Sequence, residues 1–150
     1  MISVEIDTTD HFADLSREEE RRFFQTGRKA VRKGVNRLRK RVRKNLRGVG
    51  QGQVRVINGQ VHRASLPGED PAKLTGDLAK SIRTAVRTKR KDGAIEGSVH
   101  PSRSQWRKAH GLEFGAIVGN WHLAARSFMR RAMIQEQRGI ADDLSESVEN

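Results

Sequence analysis

Between Ser16 and Gly50 the sequence carries a periodicity that leaves little choice of structure. Apolar residues at Phe24, Val31, Val35, Leu38, Val42, Leu46 and Val49 follow at steps of seven, four, three, four, four and three. That spacing draws one stripe on a helical surface, and Phe23 and Ala30 widen it. Ser16 with Glu19 three positions on forms a capping-box pattern. Glu18, Glu19 and Glu20 put negative charge at the positive end of the helix dipole, and Arg43, Lys44 and Arg47 stand at the other end. Gly48, Gly50 and Gly52 stop the run. The pattern predicts a helix over about 16–49, a rod of roughly 50 Å at the standard rise per residue. Such a rod exceeds what a 150-residue domain needs to cover its own core, so one end is expected to reach a neighbour. Gly27 and Gly34 lie inside it. Each costs about 1 kcal/mol against alanine, which points either to a simple bend or to the close approach of another backbone.

The charge is concentrated on the same segment. The chain has a formal net charge of +12, and residues 17–49 hold 14 Lys/Arg against 3 Glu, leaving +1 for everything else. Arg28, Lys29, Arg32, Lys33, Arg39, Lys40, Arg43, Lys44 and Arg47 are therefore the candidate contacts to phosphate or to an acidic partner. Three destinations stay open: solvent, an acidic protein surface, or nucleic-acid phosphate.

The rest of the chain reads as short, alternating elements. Ile2, Val4 and Ile6 suggest a strand. Residues 53–64 suggest a hairpin about Asn58-Gly59, a type I′ turn that sets Val56 opposite Val61. Leu66 to Ala72 is a turn-rich loop, and Thr75 is placed to cap a short helical turn that exits into a strand. A second hairpin is expected over about 82–100, with Lys89, Arg90 and Lys91 at an exposed tip. Residues 103–115 are ambiguous but compatible with a short helix, 115–120 read as a loop, and a last helix is predicted over about 124–148. Asp142, Asp143, Glu146 and Glu149 make its end acidic, against its own dipole, so that end frays or meets basic groups elsewhere. The expected class is α+β: a long N-terminal and a C-terminal helix packed on a small antiparallel sheet built from two hairpins. One domain over residues 1–150 is expected at this length.

Composition bounds the chemistry. There is no cysteine, hence no disulfide and no thiolate site. No apolar run approaches a membrane span, and the N-terminus lacks the pattern of a signal peptide, so a soluble product suited to a reducing cytoplasm is the expectation. His11, His62, His100, His110 and His122 are scattered. His110 and Glu113, three apart, suit a hydrogen bond far better than a metal site. There is no phosphate-binding glycine loop, nucleophile elbow or dinucleotide fingerprint, so neither an enzyme nor a cofactor is expected. Phe114 reads as core with Gly115 at a bend, or else as a contact.

Three segments taken together carry a resemblance. They are Leu66-Pro67-Gly68-Glu69-Asp70-Pro71-Ala72 with Leu74-Thr75-Gly76-Asp77-Leu78 and Ser81-Ile82; Ala109-His110-Gly111-Leu112-Glu113-Phe114-Gly115; and Ala125-Arg126-Ser127-Phe128-Met129-Arg130-Arg131-Ala132. They resemble, in order and spacing, the "PGEPPA…TGxLxxSI", "YAxxxEFGT" and "ARPFLRPA" runs of a tail-completion or head–tail joining family of long-tailed bacteriophages. Ser127 and Arg131 stand where that family often has proline, and His110 and Gly111 replace commoner aromatic and apolar residues. The strongly basic first helix is not typical of the family, so its role does not transfer.

The resemblance implies a virion protein of the head–tail junction. It would form a homo-oligomeric ring, usually a hexamer, between connector proteins and the tail terminator or tail tube. Phe24, Val31 and Val35 on the long helix, with Glu113, Phe114, Arg126 and Phe128, are then the expected oligomer or partner contacts. Joint occurrence of the last two motifs suggests an ion pair between Glu113 and Arg126. The alternative function is non-specific nucleic-acid binding through residues 17–49, including the DNA passing through the neck.

Overall fold

The capping box closes as its sequence predicts. In the computed structural model, which describes residues 2–6, 16–73 and 75–148, the Ser16 N–H and hydroxyl donate to one Glu19 carboxylate oxygen at 2.8 and 2.6 Å. The Glu19 N–H reaches the Ser16 hydroxyl at 3.4 Å. The Ser16 bonds hold the Glu19 carboxyl below its usual value. The helix opened here, α1, runs Arg17–Asn45 and is shorter than expected. The Leu46 and Arg47 N–H groups still bond back to Val42 and Lys44, after which Gly48 bridges to Ala72 and accepts the Lys73 N–H at 3.0 Å. Val49 is 88% exposed and drops out of the stripe. Twenty-nine residues give about 44 Å, not 50.

The remaining elements are β1 (Ile2–Ile6), β2 (Val54–Ile57), β3 (Gln60–Arg63), α2 (Asp77–Ser81), β4 (Arg83–Lys89), β5 (Ala94–His100), α3 (Trp106–Phe114), β6 (Ala116–Val118), β7 (Trp121–Leu123) and α4 (Phe128–Val148). The class is α+β, with a long N-terminal helix, a C-terminal helix and small antiparallel sheets. The two foreseen hairpins do not share a sheet. One sheet has the order β1-β5-β4, while β2-β3 and β6-β7 each stand as a pair. The N-terminal strand takes the free edge of β5, in register from Ile2↔Val99 to Ile6↔Ile95. The chain divides into two compact units, residues 1–39, 84–100 and 135–150 in the first, and 40–83 with 101–134 in the second.

In the first unit the α1 stripe is dry. Phe24, Val31, Val35 and Leu38 are 0–5% exposed, and so are Ile95 and Val99 of β5 and Ile140 of α4. The two helix glycines admit side chains rather than a backbone. A Cβ on Gly27 would fall 2.5 Å from Ile95 Cδ1, and one on Gly34 would fall 3.2 Å from Ile140 Cγ2. The acidic end of α4 finds its counter-charge on α1. Asp143, buried, bonds Lys33 Nζ at 2.8 Å and Arg37 Nε at 2.9 Å, and Glu146 reaches Lys33 at 3.3 Å.

In the second unit Val42 and Leu46 are buried, with Leu78, Ala79 and Ile82, Ala109 of α3, and Phe128, Met129 and Ala132 of α4. The β2–β3 turn has positive φ at both Asn58 and Gly59, and Val56 faces Val61 as its sequence predicts. The Thr75 hydroxyl accepts the Asp77 N–H at 3.3 Å. Residues 115–120, read as a loop, are instead part of the β6–β7 hairpin, which turns at Gly119-Asn120. Three-residue strands are too short to show an alternation, although the Gly-Asn pair between apolar residues was a usable turn signal.

Candidate functional site

The three segments of the resemblance are hydrogen-bonded to one another in the second unit. The Glu69 carboxylate accepts the N–H groups of Leu66 at 2.7 Å and Gln51 at 3.3 Å, closing the loop on itself. Arg131 donates to Asp70 at 3.0 Å and also to the Gly68 carbonyl. A residue that departs from the family pattern thus ties α4 to the loop.

Glu113 joins α3 to α4. Its two carboxylate oxygens accept the Met129 and Arg130 N–H groups, each at 2.9 Å. These are free donors of a helix's first turn, so Glu113 caps α4 from a distant part of the chain. The Ser127 hydroxyl donates to the Glu113 carbonyl at 3.0 Å, and the Arg126 N–H donates to the Leu112 carbonyl at 2.6 Å. Residues 124–127 are therefore held outside the helix, which begins at Phe128 and not near 124. The expected Glu113–Arg126 ion pair does not form. The Arg126 guanidinium donates instead to the carbonyls of Ser65 at 2.8 Å and Ala124 at 3.1 Å.

Other expected contact residues are also corrected. Phe24, Val31, Val35 and Phe128 are core, 0–5% exposed, because the apolar stripe is consumed within the chain's own fold. They offer no strip to another subunit. Phe114, for which a core and a contact reading both stood, is 69% exposed, so the core reading fails. On α3 it continues a row of Trp106, His110 and Phe114, spaced four apart, with ring centroids 6.3 and 4.8 Å apart. All three are exposed. Among the described residues, the exposed large apolar side chains are Val49, Val54, Val56, Val61, Leu66, Trp106, Phe114, Ile117, Leu123 and Ile134, and every one belongs to the second unit. A cavity of about 240 Å³ in that unit has apolar lining from Leu46, Pro71, Leu78, Leu112 and Leu123, with Lys73, Lys108 and Arg126 and no carboxylate among the described lining residues.

The basic residues of α1 divide by use. Lys33 is paired, and Asp143 and Glu146 raise its ammonium pKa. Arg37, also paired with Asp143, lies 3.9 Å from Glu136. Burial pushes the Asp143 carboxyl up, but Lys33 and Arg37 outweigh it and hold the group below the usual carboxylate value. Arg43 donates to the Ile82 carbonyl at 2.9 Å, and Arg39 is half-buried, with its Nε–H lacking a partner among the described residues. Arg28, Lys29 and Arg32 in the first unit, and Lys40, Lys44 and Arg47 in the second, stay exposed. The acidic end of α4, expected to fray or to meet basic groups elsewhere, thus meets Lys33 and Arg37 of α1.

Among the described residues no cluster of His, Asp or Glu could hold a metal ion, and no helix is long and apolar enough to cross a membrane. No protein family, curated protein or solved structure matches the chain.

Proposed function

We propose that this chain is a structural, non-enzymatic component of the neck of a long-tailed bacteriophage, a homo-oligomeric ring that joins or completes the tail at the head–tail interface. The observation that carries the proposal is that, among the residues whose burial is described, the exposed large apolar side chains all fall in the unit that contains the three motif segments. Scattered single exposures need no explanation, but exposed aromatic side chains set side by side are the kind of anchor that protein interfaces use. The α3 row of Trp106, His110 and Phe114 supplies such anchors. The buried α1 stripe lends no support, so docking is assigned to the second unit and not to the long helix. The cation-rimmed cavity suits an acidic segment of a connector, terminator or tail-tube protein.

The test is native mass spectrometry of the chain alone and mixed with tail-tube or terminator protein. Wild type is expected to form a ring, alone or on that template. Phe114→Asp and Val56→Asp, both at exposed positions, are expected to keep the fold and lose the ring. A chain that stays monomeric with every partner, or variants that assemble like wild type, would overturn the proposal.

A further inference from the structure

We infer that the first unit carries a phosphate-binding pocket whose ligand is the backbone of a nucleic-acid strand. The pocket, about 420 Å³, lies between the first turns of α1 and the end of β4. Arg17, Arg21 and Arg28 line it from the helix, and Arg90 lines it from the hairpin tip. Glu20 is the single carboxylate among the described lining residues, where four guanidinium groups face one negative charge. None of the four has an ion-pair partner among the described residues. Four other cations of this unit are neutralised: Arg22 by Glu18, Lys33 and Arg37 by Asp143, and Lys89 by Glu96 at 3.3 Å.

Thr88 adds an independent sign. It lines the same pocket, and its hydroxyl oxygen is buried with no hydrogen-bond partner among the described residues. A buried hydroxyl left unsatisfied is costly, and a phosphate oxygen would satisfy it. Guanidinium forks match phosphate geometry bidentately. The lining also argues for a strand over a free nucleotide. Its one aromatic ring, Phe24, is 5% exposed and offers no face for a base to stack on. Lys29 and Arg32 remain exposed further along α1 in the same unit, where successive phosphates of a strand gain contacts that a single phosphate does not. Recognition would be of backbone and not of sequence. This inference does not depend on the neck proposal.

The experiment is fluorescence anisotropy of the full chain with labelled single-stranded and duplex DNA, titrated at about 50 to 200 mM salt. Wild type is expected to bind one of these, with affinity falling steeply as salt rises. Arg21→Gln with Arg90→Gln should weaken binding by about tenfold or more and make the log–log salt slope shallower by about 1.8 on duplex or about 1.4 on a single strand, two phosphate contacts. Thr88→Val keeps every charge. It should lower affinity by about threefold to tenfold at unchanged slope, without lowering the melting temperature, because the lost hydroxyl had no partner. The charge-matched pair Lys44→Gln with Arg47→Gln, on the second unit, should lose less than about threefold. Equal losses from the two charge pairs, with Thr88→Val behaving as wild type, would reduce the effect to diffuse attraction and overturn the pocket. So would the absence of DNA binding at low salt. Saturation by inorganic phosphate alone, with no DNA affinity, would overturn the strand as ligand.

Discussion

Replacing Glu113 by glutamine isolates the bond that links the α3 and α4 motifs. Glu113 is 7% exposed, and each carboxylate oxygen takes one amide of the first turn of α4 at 2.9 Å. Glutamine keeps the shape but has one acceptor oxygen, and its NH₂ group then faces an N–H donor. One buried amide is left unsatisfied, a cost of about 1–3 kcal/mol. The attraction between a carboxylate and a helix N-terminus, up to about 2 kcal/mol in partly buried geometry, is lost as well. The two terms describe overlapping interactions, so the expected loss is about 2–3 kcal/mol and not their sum. Urea unfolding at neutral pH, followed by far-UV circular dichroism, should show a lower midpoint at unchanged slope. A Glu113→Gln protein within about 0.5 kcal/mol of wild type would refute distal capping as the reason these segments belong together.

Three further outcomes follow from the same geometry. Glu113→Arg should not be rescued by Arg126→Glu, because the Arg126 guanidinium bonds the Ser65 and Ala124 carbonyls; recovery of stability in the double variant would show a pairing the structure lacks. The Asp143 carboxyl sits below its unfolded value of about 3.9, so its contribution is complete above that pH and is lost as pH falls through the lower folded value. Asp143→Asn should abolish that acid-limb dependence in a stability–pH profile and cost on the order of 1 kcal/mol at neutral pH, since its partners Lys33 and Arg37 are half exposed. Gly27→Ala should destabilise by about 1–2 kcal/mol despite its better helix propensity, because its Cβ would overlap Ile95 Cδ1, whereas Gly34→Ala, meeting Ile140 at 3.2 Å, should be near neutral by thermal melting.

What could be read from the residues in order was what is local. The Ser16–Glu19 box, the α1 stripe and the Asn58-Gly59 turn with Val56 opposite Val61 all depend on neighbours a few positions apart, and all formed. The mixed α+β class followed from them. What needed the folded chain was every partner brought from afar. Periodicity showed that one side of α1 would be dry, but not that Ile95 and Ile140 of its own chain would lie against it. Charge counting showed an acidic helix end, but not that Lys33 and Arg37 would meet it. Glu113 and Arg126 stood close enough in the motif pattern to suggest a pair, yet the free amides of α4 compete for the same carboxylate and win. Phe114 has the composition of a core residue, and its exposure follows from which face of the nine-residue α3 is turned inward. Short-range geometry is written in spacing, whereas the choice among several chemically suitable distant partners is made by packing, which no single segment encodes.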